Sequence, residues 1–415
     1  MEIRKIKGGV TAARGFSASS CMAGVKYAGR TDMAMLFSAA PCAAAGVFTS
    51  NMVKAAPVLW DREIVRSGQA VHAVVVNSGI ANAGTGREGM AICEKTAEAA
   101  GARLGVPARS VLIGSTGVIG MQIPVERVVA GVSLLADGLG DSLEKGTDAS
   151  RAIMTTDTVN KETAYALELP SADGAGSVTV TVGGMCKGSG MIHPNMCTML
   201  AYITTDCAIE KTLLQKLVGA ITKDTFNMIS VDGDTSTNDT LLVLANGLAG
   251  NRPVTEEDES YRAFSEALFA VCRDLAVKMA ADGEGATTLI ESTVVHMDTK
   301  ENARTLARSV VSSSLVKAMV FGKDANCGRL LCALGYAGPA FDPDRTEIRM
   351  LGKSGEVVFC RDGAVLPFDE ALALAILSED KVTFLSDMHM GGESATAWGC
   401  DLTYDYVKIN GDYRT

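Results

Sequence analysis

The chain has 415 residues, 47% of them hydrophobic and only 21% charged, which is enough apolar material for a large core and more than one domain. A net charge of −10 excludes sequence-independent nucleic-acid binding, which needs clustered Lys and Arg to displace counterions. No apolar run reaches membrane-spanning length, and Met1–Gly9 carries neither an apolar h-region nor an Arg/Ser-rich transit pattern, so a cytoplasmic location is expected.

In chain order, the first fifty residues read as short strands broken by turns, over Gly9–Phe16 and Gly46–Asn51. Ala70–Asn77 is a buried strand that ends in a Gly-rich turn, and a helix fits Arg87–Leu104, stopped by Gly105 and Pro107. Ser110–Ile113 is a second strand delivering Gly114-Ser115-Thr116-Gly117, and a helix follows Pro124. Ser177–Val182 alternates with period two and Met199–Asp206 is apolar, so both read as strands. Leu213, Leu214, Leu217, Val218 and Ile221 have helical spacing, as do Phe264, Leu268, Val271, Leu275 and Met279. Leu289–Met297 reads as a strand, 302–320 as a helix, and the last sixty residues as strands around a helix at Asp369–Leu377, with Tyr404–Ile409 alternating like a strand. This alternation predicts an α/β class of layered sheets and helices.

The eleven cysteines form no C-x-x-C pair and read as reduced, buried small hydrophobes. His72, His193, His296 and His389 give no close pair of metal-ligand spacing, so no metal is expected. The acidic block Asp232–Asp239 lacks the Gly at position six and the Glu at position twelve of an EF-hand loop, which excludes calcium of that type.

Between the two central strands lies Gly183-Gly184-Met185-Cys186-Lys187-Gly188-Ser189-Gly190. Such a loop either converges backbone N–H groups and a cation on an anionic or carbonyl ligand, or is a sharp structural turn. It is not a P-loop, because Lys187 precedes the Gly and Ser instead of following the second Gly of G-x-x-x-x-G-K-[ST].

Lys187-Gly188-Ser189-Gly190-Met191-Ile192, Pro194-Asn195-Met196 and Thr198-Met199-Leu200 resemble the signature of the ornithine acetyltransferase family, the glutamate N-acetyltransferases of arginine biosynthesis. Further blocks resemble it along the whole chain: Val53–Val58, Asn77-Ser78-Gly79, Val231–Asp239 and Asn326–Arg329. The chain departs from the family at Cys197 (usually Ala), Ile80 (Asn), Thr288 (Lys) and Cys327 (Trp). The resemblance implies a layered α/β fold with a smaller C-terminal domain, and a precursor that cuts itself between Cys197 and Thr198. The products would be an alpha chain of residues 1–197 and a beta chain of 198–415, pairing as two alpha and two beta chains.

Physical chemistry makes that cut meaningful. A threonine hydroxyl is a poor nucleophile without a base, and an N-terminal amine of pKa about 7.7–8.0 can serve as one. Cleavage would therefore free Thr198 and create its base together. By the same resemblance Thr116 and Gly117 supply the oxyanion hole, while Thr155, Lys187, Thr198, Glu284, Asn410 and Thr415 contact substrate. The implied substrates are N-acetyl-ornithine and glutamate, with no bound cofactor and with acetyl-CoA as an alternative donor in some members. Two readings of other classes remain at this stage: a self-cleaving aminopeptidase that passes the acyl group to water, and a non-catalytic amino-acid-binding protein.

Overall fold

In the computed structural model, residues 2–193 and 199–412 are described, and the chain divides into two compact units. The first comprises residues up to Gly188, Asn195–Lys223 and Thr235–Leu275; the second comprises Ser189–Pro194, Asp224–Asp234 and Ala276–Thr415. The C-terminal part thus has its own unit, as expected, but it also takes two short pieces from the middle of the chain.

The first unit is built on a nine-stranded sheet. Its strands are β1 (Arg4–Ile6), β2 (Phe16–Cys21), β3 (Met33–Phe48), β4 (Val71–Asn77), β5 (Val111–Ser115), β6 (Lys161–Pro170), β7 (Ser177–Lys187) and β8 (Leu200–Thr205). After β9 (Ile229–Ser230), which belongs to the second unit, β10 (Thr240–Ala245) returns to the first. The order is β1-β6-β7-β8-β10-β3-β4-β5, with β2 also paired to β3. β8 lies antiparallel to β7 and parallel to β10, while β4 and β5 run parallel.

Burial explains these strands. β4, β5, β8 and β10 are near-continuous apolar runs, as expected of strands covered on both faces. Helix α1 (Ala56–Ser67) packs on β5, where the Trp60 indole N–H donates to the Val111 carbonyl at 3.0 Å. Helix α2 (Gly86–Leu104) buries Ile92, Cys93, Ala97 and Ala100 on one face, and α3 (Val125–Asp137) packs beside it. Helices α4 (Leu143–Ala152), α5 (Lys211–Asp224) and α6 (Glu259–Ala281) follow.

The second unit carries β9 and six further strands: β11 (Leu289–Met297), β12 (Glu347–Gly352), β13 (Gly355–Arg361), β14 (Ala364–Val365), β15 (Lys381–Asp387) and β16 (Glu393–Cys400). They are ordered β14-β13-β12-β15-β11-β16-β9. Its helices are α7 (Lys300–Ser312), α8 (Ser314–Gly322), α9 (Cys327–Gly335), α10 (Glu370–Leu377) and α11 (Tyr404–Gly411). The fold is thus a mixed α/β structure of two sheets with helices. Among the described residues no helix is long and apolar enough to cross a membrane. The described cysteines are free thiols, all buried except Cys21 and Cys332.

Three elements differ from the sequence reading. Residues 10–15 form turns, and β3 is one strand of 16 residues that serves β10 with one half and β2 and β4 with the other. The helix expected over 302–320 is two, because Ser313 is extended (φ −69°, ψ 114°) and its side chain accepts the Val316 N–H as a new N-cap. The expected strand at Tyr404–Ile409 is helix α11: Thr403 caps it by accepting the Tyr406 N–H, and its hydroxyl donates to the Gly285 carbonyl at 2.7 Å. The alternation of aromatic and polar residues there reflects no sheet face, since α11 buries none of its residues.

Candidate active site

In the first unit, parallel β4 and β5 end level at Asn77 and Ser115. The Ser115 hydroxyl donates to Asn77 Oδ1 at 2.6 Å, and the Thr116 N–H donates to the Asn77 carbonyl at 3.0 Å. The following turn lies against Gly79-Ile80, with the Val118 N–H donating to the Gly79 carbonyl at 3.1 Å and Ile80 bridging both Thr116 and Val118. Gly117 has φ +127°, and a Cβ there would stand 2.2 Å from the Gly79 carbonyl carbon, so only glycine fits. Asn238 braces the turn by donating to the Ser115 carbonyl at 2.8 Å and to the Ala81 carbonyl. Thr116 is buried, and no hydrogen bond to its hydroxyl is found among the described residues. The turn is a rigid mount for a hydroxyl and a backbone amide, the donor types an oxyanion needs.

At the end of β7, Lys187 enters a buried ionic cluster. Its ammonium donates to the Thr155 hydroxyl at 2.8 Å and lies 3.7 Å from Asp157, whose carboxylate also takes Lys161 at 2.6 Å. Side chains of Asp157 and Lys161 are wholly buried and that of Lys187 is 3% exposed. The Gly188 and Thr155 N–H groups complete the shell of Asp157, at 2.7 and 3.0 Å. Burial pushes the Asp157 carboxyl up, but the charges of Lys187 and Lys161 and the hydrogen bonds outweigh it, holding the group well below the usual carboxylate range. The cluster fixes the Lys187 ammonium at a strand end, next to the Gly188 turn.

In the second unit, Glu284 follows the C-terminus of α6 and is buried. Its N–H donates to the Ser189 carbonyl at 2.9 Å, and the Ser189 hydroxyl donates to the Asp282 carbonyl at 2.6 Å. Asn410 of α11 donates to Glu284 Oε2 at 2.7 Å. Gly190 lets that carboxylate lie close, since a Cβ there would meet Glu284 Oε2 at 2.2 Å. Thr288 and Thr287 both donate backbone N–H groups to Asp401, at 3.0 and 2.8 Å.

The fold brings the predicted residues together in pairs: Thr116 with Gly117, Thr155 with Lys187, and Glu284 with Asn410. Cys197, Thr198 and Thr415 lie outside the described residues. Sequence reasoning missed the carboxylates that hold the backbone. Asp232 accepts the Met191 and Ile192 N–H groups, at 2.5 and 2.8 Å, and Asp239 accepts the Met199 N–H at 3.1 Å. Burial pushes Asp239 well above the usual carboxylate range, against hydrogen bonds from Met199 and Thr49 and the charge of Lys187. Both residues belong to the acidic block Asp232–Asp239.

These features define an α/β protein with donor and ionic groups mounted at strand ends. The ArgJ family model matches residues 17–415. A protein of Symbiobacterium thermophilum named arginine biosynthesis bifunctional protein ArgJ is 52% identical over 412 residues, 99% of each chain. The Bacillus subtilis protein of the same name is 41% identical over 414 residues, covering 100% of this chain and 98% of its own. A crystal structure of the Bacillus halodurans protein of that name is 42% identical, with a TM-score of 0.48, over 51% of this chain and 97% of that one. The chain belongs to the ArgJ family.

Proposed function

We propose that this chain is an enzyme of arginine biosynthesis, a glutamate N-acetyltransferase that moves the acetyl group of N-acetyl-ornithine to glutamate through an acetyl-Thr198 ester. The observation that carries this reading is whole-chain similarity to proteins named for arginine biosynthesis. The chain cuts itself between Cys197 and Thr198, giving residues 1–197 and 198–415. The Thr198 hydroxyl attacks the acetyl carbonyl, and its own amine takes the proton. Thr116 and Gly117 donate to the oxyanion, and ornithine leaves as its nitrogen regains a proton. Glutamate's amine then attacks the ester and restores the threonine. Lys187, oriented by Thr155, receives a substrate carboxylate, while Glu284 with Asn410 receives the cationic end of ornithine; Thr415 adds a further contact. No bound cofactor takes part, and acetyl-CoA serves as the second donor, in keeping with the word bifunctional in the relatives' names. The mature chains assemble as two alpha and two beta chains in the cytoplasm.

The test is a mass spectrum of the purified protein before and after N-acetyl-ornithine without acceptor. Two chains split before Thr198, with the acetyl mass on the 198–415 chain, are expected, and Thr198→Ala should give one unacetylated chain. An intact wild-type chain, or acetyl transferred to water at the same rate with and without glutamate, would overturn the reading.

A further inference from the structure

The second unit holds a side-chain cluster that the acetyl-transfer reading does not use. His296, Asp387 and His389 are 91 and two residues apart in sequence, yet one ligand atom from each lies within 4.8 Å of the others. Sequence spacing gave no histidine pair; the fold makes one. β11 and β15 run parallel and deliver their ends side by side, with Val295 level with Asp387. The β11–β16 register then shifts between Val294 and Met297, and this irregularity holds His296. A turn after β15 brings His389 back over it. The Met388 N–H donates to the Val295 carbonyl at 3.1 Å, and the Met390 and Gly391 N–H groups donate to the His296 carbonyl at 2.7 and 2.9 Å. Gly391 permits this approach, because a Cβ there would meet the Met297 carbonyl oxygen at 2.5 Å.

Both histidines sit in the left-handed backbone region, His296 at φ +53° and His389 at φ +49°. Their rings stack, with centroids 6.2 Å apart and planes 18° from parallel. Both aim Nδ1 at the same carboxylate: His296 at 2.9 Å and His389 at 3.4 Å. The neighbouring carboxylate in register, Glu347 of β12, is committed to Arg349 and Arg361, which leaves Asp387 to the histidines. With zinc bonds of about 2.0–2.2 Å, tetrahedral ligand atoms stand about 3.3–3.6 Å apart, against 2.9 and 3.4 Å for the two histidine–carboxylate spacings, and all three ligand atoms lie within 4.8 Å of one another. The side chains of His296 and His389 are 56% and 46% exposed, so an ion can enter and water can fill a fourth position.

We propose that His296 Nδ1, His389 Nδ1 and an Asp387 oxygen bind one zinc-class divalent ion, with both imidazoles neutral, pinning the 388–391 turn to the end of β11. Two imidazoles and a carboxylate are a donor set for late first-row ions and not for calcium or magnesium.

The experiment titrates zinc into the purified full-length chain by calorimetry, beside His296→Asn, His389→Asn and Asp387→Asn. Asparagine tolerates the left-handed backbone, so the histidine variants keep the turn. Melting curves in chelator confirm their folding, and Asp387→Asn lies outside the left-handed positions. One equivalent of zinc is expected in the wild type. Each variant should bind at least about a hundredfold more weakly, since losing an outer-shell partner alone costs 10–100-fold. Zinc should also raise the wild-type melting temperature and leave those of the variants unmoved. Cobalt should give the intense visible bands of a four-coordinate ion. No binding at equimolar zinc, or unchanged affinity in any one variant, would overturn the three-ligand site.

Discussion

Gly117→Ala tests the oxyanion turn most directly, because the structure sets the size of the perturbation. The added Cβ would stand 2.2 Å from the carbonyl carbon, 2.4 Å from the oxygen and 2.7 Å from the Cα of Gly79. All three are backbone atoms, so no side chain can swing away. Carbon atoms rest about 3.5–4.0 Å apart, so the two loops must separate by more than about 1 Å. At φ +127° alanine also carries backbone strain, on the order of 1–3 kcal/mol. A displacement of about 1 Å in a positioned group costs roughly 10²-fold in rate. Loss of the donor itself costs about 10²–10³-fold. The expected result is therefore a fall in kcat of about 10²–10³-fold, with KM for N-acetyl-ornithine much less affected. The assay is steady-state acetyl transfer to glutamate on protein shown by denaturing gel to be cut into two chains. A cleaved variant with kcat within a few-fold of wild type would refute the placement of the oxyanion hole on this turn.

Thr116→Ala should lower kcat by about 10²–10³-fold without the backbone displacement, and a wild-type rate would remove its hydroxyl from the reaction. Asn410→Ala removes the 2.7 Å donor to Glu284. A hydrogen bond to a charged group is worth about 1.5–3 kcal/mol, so KM for N-acetyl-ornithine should rise roughly 10–150-fold, and an unchanged KM would dismiss the pair from substrate binding. Asp157 and Asp239 should respond unequally in thermal melts at neutral pH. Asp157→Asn removes the carboxylate that two buried ammoniums share and should cost about 3–5 kcal/mol, whereas Asp239→Asn removes a carboxyl that burial disfavours when charged and should cost nothing. Because the folded-state pKa of Asp157 is depressed, its contribution is present above the unfolded value of about 3.9 and is lost as pH falls through the folded value. An Asp157→Asn protein that melts like wild type would contradict this account.

Much of the fold was legible because burial writes itself into periodicity. Val71–Asn77, Leu289–Met297 and the helix packed through Phe264, Leu268 and Val271 needed only the apolar pattern. The tail failed for the converse reason: α11 buries nothing, so its residues carry no core-facing pattern, and Thr403 caps its first turn. In the candidate site, the residues proposed to contact substrate were reached through motif resemblance. The carboxylates behind them were not, since Asp157, Asp232 and Asp239 act by accepting backbone N–H groups, which leave no side-chain signature at the partner positions. The pairing of His296 with His389 depends on a strand irregularity and a turn, and spacing reports neither.

The sheet of the first unit would keep the protein together after the proposed cut before Thr198. β1 to β7 precede the cut, and β8 and β10 follow it. β8 pairs with β7 through Val182–Lys187 and with β10 through its whole length, and β10 pairs in turn with β3. The two post-cut strands are therefore enclosed on both sides by pre-cut strands, in the middle of the sheet and not at its edge. Separating the chains would expose the edges of β7, β8, β10 and β3 together, along with a buried apolar core that includes Leu200, Tyr202 and Leu242. Under the proposed cut, strand order would hold the two chains together, and the proposed division into residues 1–197 and 198–415 need not coincide with a boundary of the fold.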